Sequence, residues 1–328
     1  MRAVVLEAYG GPDVLKSQDH PAPVPRPGWV TVDLRAAALN RHDCLVRQGR
    51  YPGAPFPHVI GSDGAGIRRD TGEAVVILPS LRWGPDDRAP GAGWEILGDV
   101  TPGTYAEQVA VPEECLFPVP AGWSFTDAAA LPLAGLTAYR ALFTRGGLRS
   151  GETVLVLGAG GGVASMVISL ARAAGARVLV TTSSDAKAEL ATALGADGAV
   201  LYGEEDWPQQ VRQLTGGRGV DLAVDSVGST WAGALAATAD GGRLVTFGAT
   251  VADRADVDVR RLYFAQQSIL GTTMGSPRDF AALLDLVAQM PSWRPLVDRI
   301  LPLEQAAGAH ALMEAGGHTG KIVLQIAG

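Results

Sequence analysis

Apolar residues change their spacing partway along this chain. Through residues 1–120 they come in short runs, Ala3–Glu7, Trp29–Ala38, Ala74–Leu78 and Ala106–Val111, separated by proline and glycine. Short β-branched runs bounded by turn formers predict strands, and strands at this spacing predict a compact, barrel-like β domain. From Ser124 the pattern turns helical over Thr126–Leu131 and Thr137–Phe143, and then strands and helices alternate. Thr153–Gly158, Arg177–Thr181, Gly198–Tyr202, Val220–Asp225 and Arg243–Gly248 read as strands, with helical stretches such as Val163–Ala174 and Asp206–Leu214 between them. Such alternation gives a parallel sheet covered by helices on both faces. Ser268–Met274 reads as a sixth strand, Pro277–Gln289 and Leu303–Glu314 as helices, and Lys321–Ile326 as a closing strand that returns to the first domain. Arg82–Gly98 follows neither period and is expected to be a surface lobe. The resulting division is a catalytic domain over 1–123, a doubly wound nucleotide-binding domain over 124–267, and the sixth strand with the return over 268–328.

One stretch of the alternating part carries chemistry. Gly158, Gly160, Gly161 and Gly162 lie between a predicted strand and a predicted helix, with Val163 in the third position of a GxGxxG-like pattern. A helix N-terminus with unpaired N–H groups attracts a pyrophosphate, and glycine lets the backbone come close to it. The end of the following strand bears on which dinucleotide binds. An NAD site places a carboxylate there for the ribose hydroxyls, whereas Thr182, Ser183, Ser184 and Lys187 offer hydroxyls and one cation. We therefore expect NADPH. Asp185 is the nearby acid, and its place ahead of a helix suits an N-cap.

Composition narrows the classes without choosing among them. The 328 residues exceed one ordinary domain, and 47% hydrophobic content supplies two cores. A net charge of −7 without a basic block argues against nucleic acid or an anionic membrane as partner. Two cysteines, Cys44 and Cys115, form no metal-type cluster and no disulfide framework. Neither an export signal nor an eighteen-residue apolar run is visible, so a cytoplasmic protein is expected.

The motifs AALNRHD (37–43), GSDGAG (61–66), GTYAEQVAVP (103–112), AAALPLAGLTAY (128–139), GAGGGVA (158–164), GGRLVTFGA (241–249) and GKIVLQI (320–326) resemble the medium-chain dehydrogenase/reductase superfamily over nearly the whole chain. That resemblance implies a Rossmann domain inserted in a GroES-like β-barrel domain, NAD(P) as cofactor, a small-molecule substrate and a homo-oligomer, dimer or tetramer. Zinc members carry cysteine, histidine and glutamate ligands where this chain has Asn40, Ser62 with Asp63, and Leu133, and the Arg82–Gly98 region lacks the four cysteines of their structural site. A zinc-free enzyme is expected. Asn40 and Tyr51 match an Asn and a Tyr that line the substrate cleft in quinone oxidoreductases. Thr137 matches a threonine beside the nicotinamide, and Tyr202 with Lys187 matches a pair around the adenosine phosphate. Gly248 ends a strand at the sheet edge where ligands sit. The function implied is NADPH-dependent reduction of quinones or α,β-unsaturated carbonyls. The alternatives are an alcohol dehydrogenase of the same superfamily or a nucleotide-binding, crystallin-like protein with little turnover.

Overall fold

The computed structural model describes residues 1–24, 26–51, 55–203 and 206–327. Its contacts divide the chain into two units, Met1–Leu136 with Gly275–Gly328, and Thr137–Met274. The division falls inside the helix Pro132–Tyr139, later than the expected break at 123/124. The helix Phe125–Ala130 belongs to the first unit because Ala128, Ala129 and Ala130 are fully buried there. Small side chains at these positions let the helix lie close to a sheet.

The first unit is mainly antiparallel. Its seven-stranded sheet runs Leu116–Pro118, Ala74–Ile77, Asp63–Arg68, Trp29–Ala38, Lys321–Gln325, Val297–Pro302, with Gln108–Pro112 also paired to Trp29–Ala38. The closing strand Lys321–Gln325 returns to this sheet, pairing Val323 with Ala38. This register carries Lys321 next to the chain that follows Ala38. The expected surface lobe is buried at both ends. Ser80–Leu81 pairs with Glu95–Ile96, and Trp83, 2% exposed, donates its indole N–H to the Asp86 carbonyl. A large apolar side chain at the foot of the excursion anchors it without either periodicity.

The second unit holds one six-stranded parallel sheet. Its order in space is Gly198–Leu201, Arg177–Thr182, Thr153–Leu157, Val220–Asp225, Thr238–Thr246, Ser268–Gly271, the 3-2-1-4-5-6 arrangement of a doubly wound fold. Leu155, Leu179, Ala223 and Leu244 are completely buried, as strands covered on both faces require. The sixth strand is shorter than expected, ending at Gly271, and among the described residues it pairs on one side only. The fifth begins earlier than expected, at Thr238. Among the described residues no helix is long and apolar enough to cross a membrane.

Candidate active site

The glycine turn follows the first strand of the parallel sheet. Gly158 and Gly160 have φ of +78° and +129°, conformations that L side chains rarely adopt. Gly161 is the N-cap of the helix Gly162–Ala173, and among the described residues no side chain caps that helix start. A Cβ added at Gly161 would meet nothing within 4 Å. Open space thus lies beside unpaired helix N–H groups, which is the arrangement a pyrophosphate needs. The turn sits between the first and fourth strands, where the strand order reverses and open α/β sheets take their ligands. These features fit a dinucleotide.

The neighbouring strand end supplies the groups proposed to discriminate. Thr181 Oγ1 accepts the Gly158 N–H at 3.2 Å, so the second strand also shapes the glycine turn. The buried Thr182 hydroxyl has no hydrogen-bond partner among the described residues. Ser184, not Asp185, is the N-cap of the helix Asp185–Ala193, its oxygen accepting the Lys187 N–H at 3.4 Å. Asp185 is the exposed first helical residue, so the capping role expected of it belongs to its neighbour. The Lys187 stem runs along the turn, with Cδ 3.4 Å from where a Gly160 Cβ would stand. Ser183 is exposed, and Tyr202, 47% exposed, is tied to the same strand end by its N–H on the Thr182 carbonyl. The structure places Ser183, Ser184, Lys187 and Tyr202 at or beside the end of the strand Arg177–Thr182. Gly248 follows the fifth strand with the Ser226 carbonyl 3.2 Å from where its Cβ would be. Asp225 serves the fold, its carboxylate accepting the Val227 and Gly228 N–H groups, the Thr230 hydroxyl and the Trp231 indole. Thr137 is buried within the helix Pro132–Tyr139 and so is not a helix-opening residue.

In the first unit a buried polar network surrounds Asn40. Asn40 lies two residues past the strand Trp29–Ala38 and is the N-cap of the helix Arg41–Arg47, where its N–H donates to Asp43 Oδ2 at 2.8 Å. Asn40 Nδ2 donates to Asp63 Oδ2 at 2.9 Å, while Lys321 Nζ donates to Asn40 Oδ1 at 2.6 Å and to Asp63 Oδ2 at 2.9 Å. Asp63 Oδ1 accepts the Leu133 N–H at 2.8 Å. The Lys321 and Asp63 side chains are 3% and 0% exposed, so their opposite charges compensate each other inside the protein. An ammonium and an amide thus occupy the ground between Asn40, Asp63 and Leu133. These groups do not fit a zinc ion, which takes thiolate, imidazole or carboxylate donors. Asn40 fixes its amide orientation through both of its polar atoms and retains one N–H beyond these bonds.

Two further features adjoin this network. Asp43 Oδ1 accepts the Ser62 hydroxyl at 2.9 Å, and Asp43 Oδ2 the Tyr105 hydroxyl at 3.1 Å. His310 Nε2 lies 3.2 Å from that same hydroxyl. Burial pushes the Asp43 carboxyl up to about 6 and the His310 imidazole down to about 3. On the other side, the Tyr51 ring meets His42 edge-on with centroids 4.5 Å apart, and His42 Nε2 lies 2.6 Å from Asp99 Oδ1. Tyr51 is 38% exposed, and burial followed by the Asp99 charge raises its phenol pKa, keeping the hydroxyl a donor. Sequence reasoning missed Lys321, Asp63 as its partner, and Asp99. Lys321 stands out as one of only three lysines, with Lys16 and Lys187, yet nothing in the sequence announces its partners.

A doubly wound sheet with an open glycine turn, joined to a mainly antiparallel domain, defines a two-domain oxidoreductase that binds a nicotinamide cofactor. Residues 26–121 match the alcohol dehydrogenase GroES-like domain family and residues 162–289 the zinc-binding dehydrogenase family. A quinone oxidoreductase of Pseudomonas aeruginosa is 33% identical over 98% of this chain and 99% of its own. Among solved structures, one described as an NAD-dependent alcohol dehydrogenase is 42% identical, with TM-score 0.94 and complete coverage of both chains. A mycobacterial protein solved with NADPH is 31% identical, with TM-score 0.84 over 99% of this chain and 100% of its own. The chain belongs to the medium-chain dehydrogenase/reductase superfamily.

Proposed function

We propose that this oxidoreductase reduces quinones or α,β-unsaturated carbonyls with NADPH and without a catalytic zinc. The observation that carries the reading is the bonding of Lys321 Nζ to Asn40 and Asp63, which fills with an internal cation the ground where zinc relatives hold their metal. Oxidising an alcohol without a Lewis acid leaves the alkoxide poorly stabilised near neutral pH. Reducing an activated double bond needs only donors for the oxygen on which charge accumulates. Asn40, through its remaining N–H, and Tyr51, through its protonated hydroxyl, are assigned that role.

The glycine turn from Gly158 to Gly162 and the start of the helix at Val163 would hold the pyrophosphate. Ser183, Ser184, Lys187 and Tyr202 would receive the 2′-phosphate, with Thr137 and Gly248 toward the nicotinamide end. When bound, reduced nicotinamide supplies hydride. The similarity to a quinone oxidoreductase and to a protein solved with NADPH supports this reading. The similarity to an NAD-dependent alcohol dehydrogenase favours a second one, alcohol oxidation with NAD.

A panel of quinones, enones and primary and secondary alcohols, each assayed with NADP(H) and NAD(H) in the presence and absence of chelator, separates the two. Reduction of an enone or quinone that survives chelation, by protein with no stoichiometric zinc in elemental analysis, is the expected result. Chelator-sensitive alcohol oxidation with one zinc per chain would overturn it. Removing one oxyanion donor commonly lowers kcat by about 10²–10³, and Asn40→Ala is expected to fall in that range.

A further inference from the structure

Four buried side chains of the first unit are linked end to end by hydrogen bonds. Asp43 Oδ2 lies 3.1 Å from the Tyr105 hydroxyl, that hydroxyl 3.2 Å from His310 Nε2, and His310 Nδ1 3.5 Å from Cys44 Sγ. Burial pushes the Cys44 thiol up to about 12 and the Tyr105 phenol far above its usual value, and it holds the His310 imidazole down at about 3. These three stay neutral around pH 6, so Asp43, raised by burial to about 6, is the member of the chain that changes charge there. The titratable and charged groups facing the chain are Arg41, His42 and Arg47 from the helix Arg41–Arg47, Asp63 from its own strand, and Glu314 from the helix Ala306–Glu314. Asp63 is paired with Lys321, and Glu314 with Arg47.

A neutral imidazole has one N–H and one bare nitrogen, which ties the two ends of the chain together. With Asp43 ionised, the carboxylate only accepts, so Tyr105 donates to it. The phenol oxygen then accepts from His310 Nε2–H, and the bare Nδ1 accepts the Cys44 S–H. With Asp43 protonated, its new O–H needs an acceptor, and one neighbouring hydroxyl has to turn. Ser62, which donates to Oδ1 at 2.9 Å, is fully buried and has no second acceptor among the described residues, so turning would strand its proton. Tyr105 has a second acceptor, His310 Nε2, once that nitrogen is bare. The Asn40 N–H can remain on Oδ2, because a hydroxyl oxygen still accepts. Tyr105 is therefore the hydroxyl that turns, and the later links turn with it.

We propose that Asp43, Tyr105, His310 and Cys44 form a two-state switch, in which proton uptake by Asp43 reverses the direction of each hydrogen bond in the chain and changes the His310 tautomer from Nε2–H to Nδ1–H. The count balances with one proton from solvent. The Nε2–H bond is lost, an O–H bond at Asp43 and an N–H bond at Nδ1 form, and Tyr105 and Cys44 each keep one hydrogen. The switch joins two elements, because Asp43 Oδ2 also accepts the Asn40 N–H at the start of the helix Arg41–Arg47, and His310 belongs to the helix Ala306–Glu314. Protonation removes the negative charge that strengthens the Asn40 N–H bond, so Asn40 is held less firmly in the acid state. Regulation of turnover by this route rests on the reductase reading above; the switch itself does not.

NMR titration of cofactor-free protein, labelled with ¹⁵N in imidazole and ¹³C in aspartate, tests the switch directly. The Asp43 carboxyl should titrate near pH 6, and the Nε2–H signal of His310 should give way to an Nδ1–H signal with the same midpoint as pH falls. A His310 tautomer that stays constant while Asp43 titrates, an Asp43 that does not titrate there, or a His310 that carries both protons there would each overturn the proposal. Tyr105→Phe removes the middle link and leaves both ends. Asp43 then loses one donor to its ionised form, so its midpoint should rise, and His310 should keep one tautomer throughout. A tautomer change that persists in this variant would also overturn the switch, and if the variant does not fold the wild-type titration decides alone. Enone turnover supplies the regulatory arm: wild-type kcat/KM should change across the same midpoint, and Tyr105→Phe should move that inflection upward. A flat or unmoved profile would overturn the regulation while turnover itself upholds the reductase reading. Wild type that reduces neither enone nor quinone at any pH would overturn that reading, with the switch still judged by the NMR titration.

Discussion

Replacing Lys321 by methionine tests the buried network independently of any catalytic reading. Methionine keeps much of the stem volume and removes the ammonium. Among the described residues, the fully buried Asp63 carboxyl would then keep the Asn40 amide and the Leu133 N–H as donors, and Asn40 Oδ1 would lose its bond to Lys321. Breaking a buried ion pair by removing one partner costs about 3–5 kcal/mol. The orphaned amide oxygen is worth about 1–3 kcal/mol by itself, but it shares the same contacts, so the two do not add. We expect a loss of about 3–5 kcal/mol in total. The double variant Lys321→Met, Asp63→Asn removes both charges and should recover most of it, because a neutral amide costs far less to bury than an unpaired carboxylate. Equilibrium urea unfolding of cofactor-free protein gives the size. Hydrogen exchange on peptides from Trp29–Ala38 and Lys321–Gln325 locates it, with Thr153–Leu157 in the other unit as the internal control. A single variant that loses less than about 1 kcal/mol, below the range for a buried pair, or a double variant no better than the single, would refute the reasoning.

Three other outcomes are expected. Lys187→Ala should weaken NADPH binding about ten- to a hundredfold, the worth of one charge-assisted contact, and leave NADH affinity nearly unchanged; equal losses, or a wild type that prefers NADH, would reverse the cofactor assignment. Burial raises Asp43 from 3.8 to about 6, so the folded state holds that proton more tightly and Asp43's contribution to stability falls as pH rises between those values. Burial, and then the Arg47 charge, lowers His310 from 6.5 to about 3, so its contribution is lost as pH falls through that range. The two slopes oppose each other, and urea midpoints between about pH 4 and 6 should therefore drop more steeply toward acid in Asp43→Asn, and less steeply in His310→Gln, than in wild type; parallel profiles would contradict the assignment. Finally, Ser268–Gly271 offers an unpaired edge, with Val259 and Phe264 67% and 68% exposed on the preceding helix, so light scattering should report a dimer or tetramer; a 34.0 kDa monomer at micromolar concentration would refute that.

Periodicity alone determined the division of labour in this protein. The strand Val220–Asp225 and the start and end of Trp29–Ala38 are legible because long apolar or alternating runs tolerate one register, and the glycine turn is legible because only glycine serves at those φ values. The helix Arg41–Arg47 was not anticipated, because seven residues are too few to display a helical period against noise. The buried end of the Arg82–Gly98 excursion was equally illegible, since one tryptophan anchors it without any repeat. At the candidate site, the family resemblance pointed to Asn40, Tyr51 and Tyr202, and the chemistry of the second strand's end to Lys187. Only the tertiary structure supplied their partners. Lys321 reaches Asn40 across 281 positions of sequence, and Asp99 reaches His42 across 57. The sheet register of the closing strand decides the first of these pairs, and the packing of the folded unit the second. Charge pairing between residues so far apart leaves no mark on local spacing, because its reason for being there, mutual desolvation in a shared interior, does not exist until the chain has folded.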